Sequence, residues 1–235
     1  MSTPHSIGTL REQQLHASLK LWLAQPGDVF EQKVDGYHID IVRGELLMEI
    51  QTTNFSAIRT KLKKLLDVHP MLLIHPIPAT KWIVRETKLG RKLSRRKSPK
   101  QGRIEHIFDE LLYIPEITNH PNFRLQVLLT EQEEIWRDDG RGSWRRKHWS
   151  VADKVLLNVV DSTRFETPND YLALLPDSIA TPFTHRQLAD LLDIPLWVST
   201  RMSYCLRRMG ALEVAGKRGR TLLLVPAKRA DSKSE

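Results

Sequence analysis

Apolar and polar positions alternate with period two from Val34 to Thr52, VDGYHIDIVRGELLMEIQT, and this predicts a β-hairpin. With Arg43-Gly44 as the turn, Ile41 faces Leu46, Asp40 faces Leu47 and Ile39 faces Met48. Side chains on a strand alternate between its faces, so parity sorts them. Ile39, Ile41, Leu46, Met48 and Ile50 make one wholly apolar face, while Asp40, Val42, Glu45, Leu47, Glu49 and Gln51 share the other. Asp40 and Glu49 come out as diagonal neighbours, roughly 7–8 Å apart at the backbone. Two carboxylates at that spacing can share a hard divalent cation such as Mg²⁺. Glu49 also lies in a run, LLMEIQT, that otherwise reads as a buried strand, where a carboxylate needs a partner or a metal.

The 3.6-residue period places helices on either side of this hairpin. Thr9 to Ala24 is expected to be helical, with Thr9 and Glu12 at capping-box spacing and Leu15, Leu19, Trp22 and Leu23 as its apolar stripe. A strand from Val29 to Val34 follows. Ser56 to Val68 is expected to be a helix with Ile58, Leu62, Leu65 and Leu66 inward and Arg59, Lys61, Lys63 and Lys64 around the rest. Met71–Pro76 and Lys81–Glu86 read as two strands, Ile104–Tyr113 as a helix, Phe123–Thr130 as a strand and Val151–Val160 as a helix. Further on, Thr184 caps a helix from His185 to Leu192, Asp193-Ile194-Pro195 turns, and Leu196 to Met209 forms a second helix stopped by Gly210. Two short strands, Ala211–Ala215 and Leu222–Val225, then flank the basic tip Gly216-Lys217-Arg218-Gly219-Arg220.

Composition narrows the class. The chain has 235 residues, 40% of them hydrophobic, and a formal net charge of +8, which favours an anionic partner, nucleic acid first. Cys205 is the single cysteine, which excludes an internal disulfide and a thiolate zinc cluster and fits a reducing, cytoplasmic setting. No apolar run is long enough for a membrane span. The stretch Lys88–Arg103 holds eight basic residues and no acid, with Arg95, Arg96 and Lys97 at its centre, so it reads as a loop or ribbon on phosphate. In Ser143–Trp149 three basic residues lie between Trp144 and Trp149, a pattern that suits either phosphate contact with stacking or a core edge.

Asp40, followed at a gap of eight residues by Glu49-Ile50-Gln51, resembles the core of the PD-(D/E)xK, or restriction-endonuclease-like, nuclease superfamily. The resemblance implies a mixed α/β sheet flanked by helices, with Mg²⁺ or Mn²⁺ held by Asp40 and Glu49. Gln51 stands where the superfamily usually has Lys. It would position the attacking water, and Lys61, or Lys64, would supply the missing cation. Glu12 or Glu31 would be the additional carboxylate, although Glu12 reads better as a helix cap.

The phrase LRRMGALEVAGKRGRTLLLV, with the two helices before it, resembles a winged helix-turn-helix. Carried onto this chain, that implies groove contact by Ser199, Thr200, Arg201 and Ser203, and phosphate contact by Arg207, Arg208, Lys217, Arg218 and Arg220. Together the two resemblances imply a nuclease-like domain over 1–150 containing the basic loop 88–103, a winged-helix domain over 151–227, and a disordered tail over 228–235. The expected function is a DNA-binding protein with a metal-dependent, phosphodiester-cleaving domain. The alternative is a non-catalytic DNA-binding regulator on a degenerate nuclease fold, and a third reading has the winged helix meeting a protein partner.

Overall fold

The computed structural model describes residues 13–144 and 148–227. The Thr9–Glu12 cap, the basic residues Arg145, Arg146 and Lys147, and the tail 228–235 lie outside the described residues. The fold is mixed α/β, a large mixed sheet flanked by helices.

The order begins with α1 (Gln13–Leu23), β1 (Val29–Val34), β2 (Tyr37–Arg43), β3 (Leu46–Ile50) and α2 (Phe55–Leu66). It continues through β4 (Met71–Glu86), β5 (Lys92–Lys97), the short helix α3 (Phe108–Leu111), β6 (Phe123–Arg137) and β7 (Ser150–Phe165). It ends with α4 (His185–Leu192), α5 (Leu196–Arg208), β8 (Leu212–Arg218) and β9 (Thr221–Pro226). Among the described residues the main sheet has seven strands in the order β1-β2-β3-β4-β6-β7, with β5 on β4, and β8 pairs with β9 alone.

The hairpin predicted from alternation is β2–β3, with one adjustment. Arg43 pairs with Leu46, Val42 with Leu47 and Ile41 with Met48, so Gly44-Glu45 is the turn in place of Arg43-Gly44. Gly44 takes φ 57, which a glycine adopts without penalty. The register moves by two, an even number, so every side chain keeps its expected face. Ile39, Ile41, Met48 and Ile50 are all buried.

Two strands expected at Met71–Pro76 and Lys81–Glu86 are one long strand, β4. Pro76 and Pro78 withhold amide donors on the same edge of it. They lie between the Gln51 amide bond to the Ile74 carbonyl and the Ser98 amide bond to the Lys81 carbonyl, where β3 gives way to β5 as neighbour. Contacts between β4 and β6 advance together, from Met71 with Asn122, through Ile77 with Thr130 and Lys81 with Glu134, to Glu86 with Asp138, so this pair is parallel. β6 and β7 run antiparallel, since Gln126 meets Ser162 at one end and Asp139 meets Ser150 at the other.

The helix expected over Val151–Val160 is therefore the body of β7, a correction to the sequence reading. Its β-branched residues suit a strand, and pairing with β6 decides the conformation. The expected domain break after residue 150 falls at the start of this strand. The chain instead groups into two compact units of three segments each. One is Met1–Thr52, Leu73–Ile104 and Gln126–Thr163; the other is Thr53–Leu72, Glu105–Leu125 and Arg164–Glu235. In the second, Glu110 accepts the Phe55 amide at the start of α2, and α5 packs on α3 with the Cys205 thiol 3.9 Å from the Phe108 carbonyl.

Candidate functional site

In the first unit α1 lies against β3 and brings His16 and Lys20, one turn apart, onto the acidic face of the hairpin. Leu15, Leu19 and Leu23 form the buried stripe of α1, while Trp22, expected among them, faces outward. Asp40 and Glu49 are both buried. They lie one step beyond the Ile41–Met48 pair, so they are neighbours directly across the hairpin, closer than the diagonal relation expected.

Asp40 is a convergence point. Its Oδ2 accepts the Ile50 amide at 2.8 Å and meets His16 Nε2 at 3.0 Å, and its Oδ1 lies 3.3 Å from Lys20 Nζ. Lys20 also hydrogen-bonds Glu31 of β1. Burial pushes the Asp40 carboxyl up, but the His16 and Ile50 hydrogen bonds and the Lys20 charge outweigh it and hold it below its ordinary value. Lys20 is the mirror case. Burial lowers it, and Glu31 and Asp40 raise it further than burial lowers it.

The cation beside Asp40 is thus Lys20. Lys61, expected to supply such a charge, lies on α2. The sequence signal that could have found Lys20 is the pair His16-x-x-x-Lys20 alongside the apolar stripe of α1. Gln51 follows β3 directly; its amide donates to the Ile74 carbonyl, and its carbonyl is 2.7 Å from His75 Nδ1. No group of three or more His, Cys, Asp or Glu side chains able to hold a metal occurs among the described residues. Two carboxylates remain, and Mg²⁺ is commonly held by one or two carboxylates with waters completing its shell. Asp40 and Glu49 supply oxygen donors of the kind such a cation takes, and the Asp40 oxygens already meet His16, the Ile50 amide and Lys20.

A second feature of the same unit is the antiparallel ribbon of β4 and β5, with Trp82 paired to Lys97, Val84 to Arg95 and Arg85 to Ser94. Every residue of β5, Arg95, Arg96 and Lys97 included, is exposed. Arg95 lies over the Trp82 ring at 4.7 Å and Lys97 at 6.0 Å, while Arg95 also bonds Glu133. At the far end of the sheet Trp144 is exposed, and Trp149 is half-buried beneath Arg85 at 5.2 Å.

In the second unit α4 opens with a reciprocal cap. The Thr184 hydroxyl accepts the Gln187 amide, and the Gln187 side chain accepts the Thr184 amide. Ala189, Ile194 and Val198 pack across the turn into α5. Two predicted groove residues are corrected here. Ser199 and Ser203 are fully buried, and their hydroxyls donate to the carbonyls of His185, Leu196 and Ser199. They allow close helix packing and cannot reach a ligand. Arg201 bonds Asp109 at 2.8 Å and lies 4.8 Å over the Trp197 ring, and Arg208 bonds Glu116. Thr200 is exposed and Arg207 half-buried. Lys217, Arg218 and Arg220 are exposed around the two-residue tip of the β8–β9 hairpin. The outward stripe of α5 is Leu196, Trp197, Thr200 and Tyr204.

These features define a mixed α/β protein with a buried carboxylate–lysine cluster and two exposed basic hairpins. Residues 13–166 match the family described as Domain of unknown function (DUF8091), and the chain belongs to that family. The matched segment starts with α1 and closes just after β7. The chain is also similar to an uncharacterized protein of Treponema pallidum (strain Nichols), 29% identical over 231 residues that cover 97% of this chain and 91% of the relative. No solved structure gives a significant match.

Proposed function

We propose that this protein binds duplex DNA through its basic hairpins. The observation that carries the reading is β5, a strand exposed along its whole length within a stretch, 88–103, that has eight basic residues and no acid. Neutralising phosphates with such a surface releases condensed counterions and makes affinity fall steeply with salt. The order α4, tight turn, α5, then a hairpin with Lys217, Arg218 and Arg220 at its tip supports a winged-helix reading of the C-terminal elements. In that reading the hairpin meets phosphate and Thr200 is the exposed groove-facing residue of α5. The test is binding of the full chain to duplex DNA over a salt series. Changing Arg95, Arg96 and Lys97 together to Ala should weaken binding and flatten the slope of log affinity against log salt by about 0.9 for each phosphate that is no longer neutralised. Failure of the wild type to bind at low salt would overturn the reading.

A second reading, metal-dependent phosphodiester cleavage, is favoured by one observation: two buried carboxylates across one hairpin with Lys20 at 3.3 Å from the first. Asp40 and Glu49 would hold Mg²⁺ or Mn²⁺, which acts as a Lewis acid on phosphate and lowers the pKa of a bound water. The chain's own part would be to hold Asp40 ionised through His16 and the Ile50 amide and to place the Lys20 charge beside the reacting phosphate. Mn²⁺ should raise the melting temperature of wild type and not of Glu49→Ala. Mg²⁺-dependent cleavage should vanish in Asp40→Ala and Glu49→Ala alike. Without a Mn²⁺ shift, the non-catalytic DNA-binding reading stands alone.

A further inference from the structure

The turn joining β4 to β5 is locked by its own hydrogen bonds. The Thr87 amide donates to the Arg91 carbonyl at 2.9 Å and the Gly90 amide to the Thr87 carbonyl at 2.9 Å. The Arg91 amide donates to the Thr87 hydroxyl at 3.1 Å, and Gly90 supplies the left-handed φ of 83 that closes the loop. The result holds Leu89 away from the protein, 96% exposed, between Lys88 and Arg91. Behind the tip the ribbon is equally fixed. Arg95 and Lys97 lie over Trp82, and at the root the Ser98 amide donates to the Lys81 carbonyl at 2.7 Å and the Gly102 amide to the Pro78 carbonyl at 2.9 Å. The tip of this cationic two-stranded arm thus presents the aliphatic side chain of Leu89, with the half-exposed Leu93 behind it on β5.

Chemistry selects the partner. Aliphatic wedges on cationic arms unstack a base step and kink a duplex, and the kink brings more phosphates within reach of the arm. A single-stranded ligand would call for an open aromatic face, and the Trp82 face is covered by Arg95 and Lys97. Leu89 and the half-exposed Leu93 together offer far less apolar area than a membrane surface requires. We propose that the β4–β5 arm grips duplex DNA by its phosphates and inserts Leu89 between two base pairs, bending the duplex. This rests on the DNA-binding reading above.

The experiment uses the full chain and a short duplex carrying a fluorophore at each end, with binding read by anisotropy and bending by energy transfer. Wild type should raise energy transfer on binding. Leu89→Ser should still bind at low salt, more weakly because the extra phosphates the bend brings in are lost, and should return energy transfer to the value of free DNA, while Leu89→Phe should preserve both the bend and the affinity. Leu89 is almost wholly exposed, so equal melting temperatures for all three chains check the fold. Binding without bending by wild type, or unchanged bending by Leu89→Ser, overturns the wedge and leaves DNA binding standing. Absence of wild-type binding at low salt overturns both.

Discussion

Asp40 ties three elements together, with α1 reaching it through His16 and Lys20, β3 through the Ile50 amide, and β2 carrying it. Its folded value lies below the ordinary 3.8, so its stabilising contribution is present above 3.8 and is lost as pH falls through the folded value. Wild type should therefore lose stability on acidification, and Asp40→Asn, less stable at neutral pH, should lose less of what remains; denaturant titrations at neutral pH and at about pH 3 check this. Lys20 has the opposite sign, because its raised value keeps its contribution present below 10.5 and lost only above it. Gly102 is constrained by space. A Cβ there would lie 2.6 Å from Ile77 Cγ2 and 2.6 Å from the Pro78 carbonyl oxygen, so Gly102→Ala should cost about 1–3 kcal/mol in urea unfolding. At this scale the sequence placed Asp40 and Glu49 on one face because parity survives an even register shift. Lys20 stayed hidden because a lysine beside an apolar helix stripe reads as solvated until its neighbour across space is known.

Helices at the C-terminus were legible as elements. Thr184, Asp193 and Gly210 are local signals, and each works through groups a few residues away. Removing the reciprocal cap with Thr184→Ala should cost about 0.5–2 kcal/mol, read as a lower melting temperature. What the helix code does not disclose is which face of α5 is covered. Ser199 and Ser203 read as polar contact residues, yet α5 packs on α4 and α3, and two small hydroxyls let the backbones approach. Ser203→Leu should therefore lower the melting temperature by several degrees, while Thr200→Leu, exposed, should leave it within about one degree. β7 shows the same limit from the other side. Val155, Leu156 and Val159 satisfy a helical period, but the strand on β6 uses the amides of that segment in a ladder that no local window contains.

For the molecule as a whole, neither unit is continuous in sequence, because β4, β6 and β7 are long strands whose two ends belong to different units. A cut after residue 150 would strip β7 from β6, so residues 151–235 expressed alone should aggregate or remain unfolded, whereas the full chain should melt cooperatively; circular dichroism and light scattering distinguish the two. The net charge of +8 is spread over surfaces in both units, including β5 in one and the β8–β9 tip in the other. Under the DNA-binding proposal, raising salt should accordingly weaken binding by the triple Ala variant at Arg95, Arg96 and Lys97 as well, with a shallower slope. No helix among the described residues is long and apolar enough to cross a membrane.

From the sequence alone came the hairpin and its two faces, the acidic pair on one of them, the basic stretch 88–103 and the helices α4 and α5. Each rests on interactions between residues near one another in the chain, where period, cap and turn chemistry act directly. Tertiary structure decided that β4 runs unbroken through two prolines, that 151–160 is a strand, that Lys20 stands at Asp40, and that Ser199 and Ser203 are sealed inside. Those outcomes depend on pairing and burial between segments far apart in sequence, and the energy that settles them comes from partners no local pattern names.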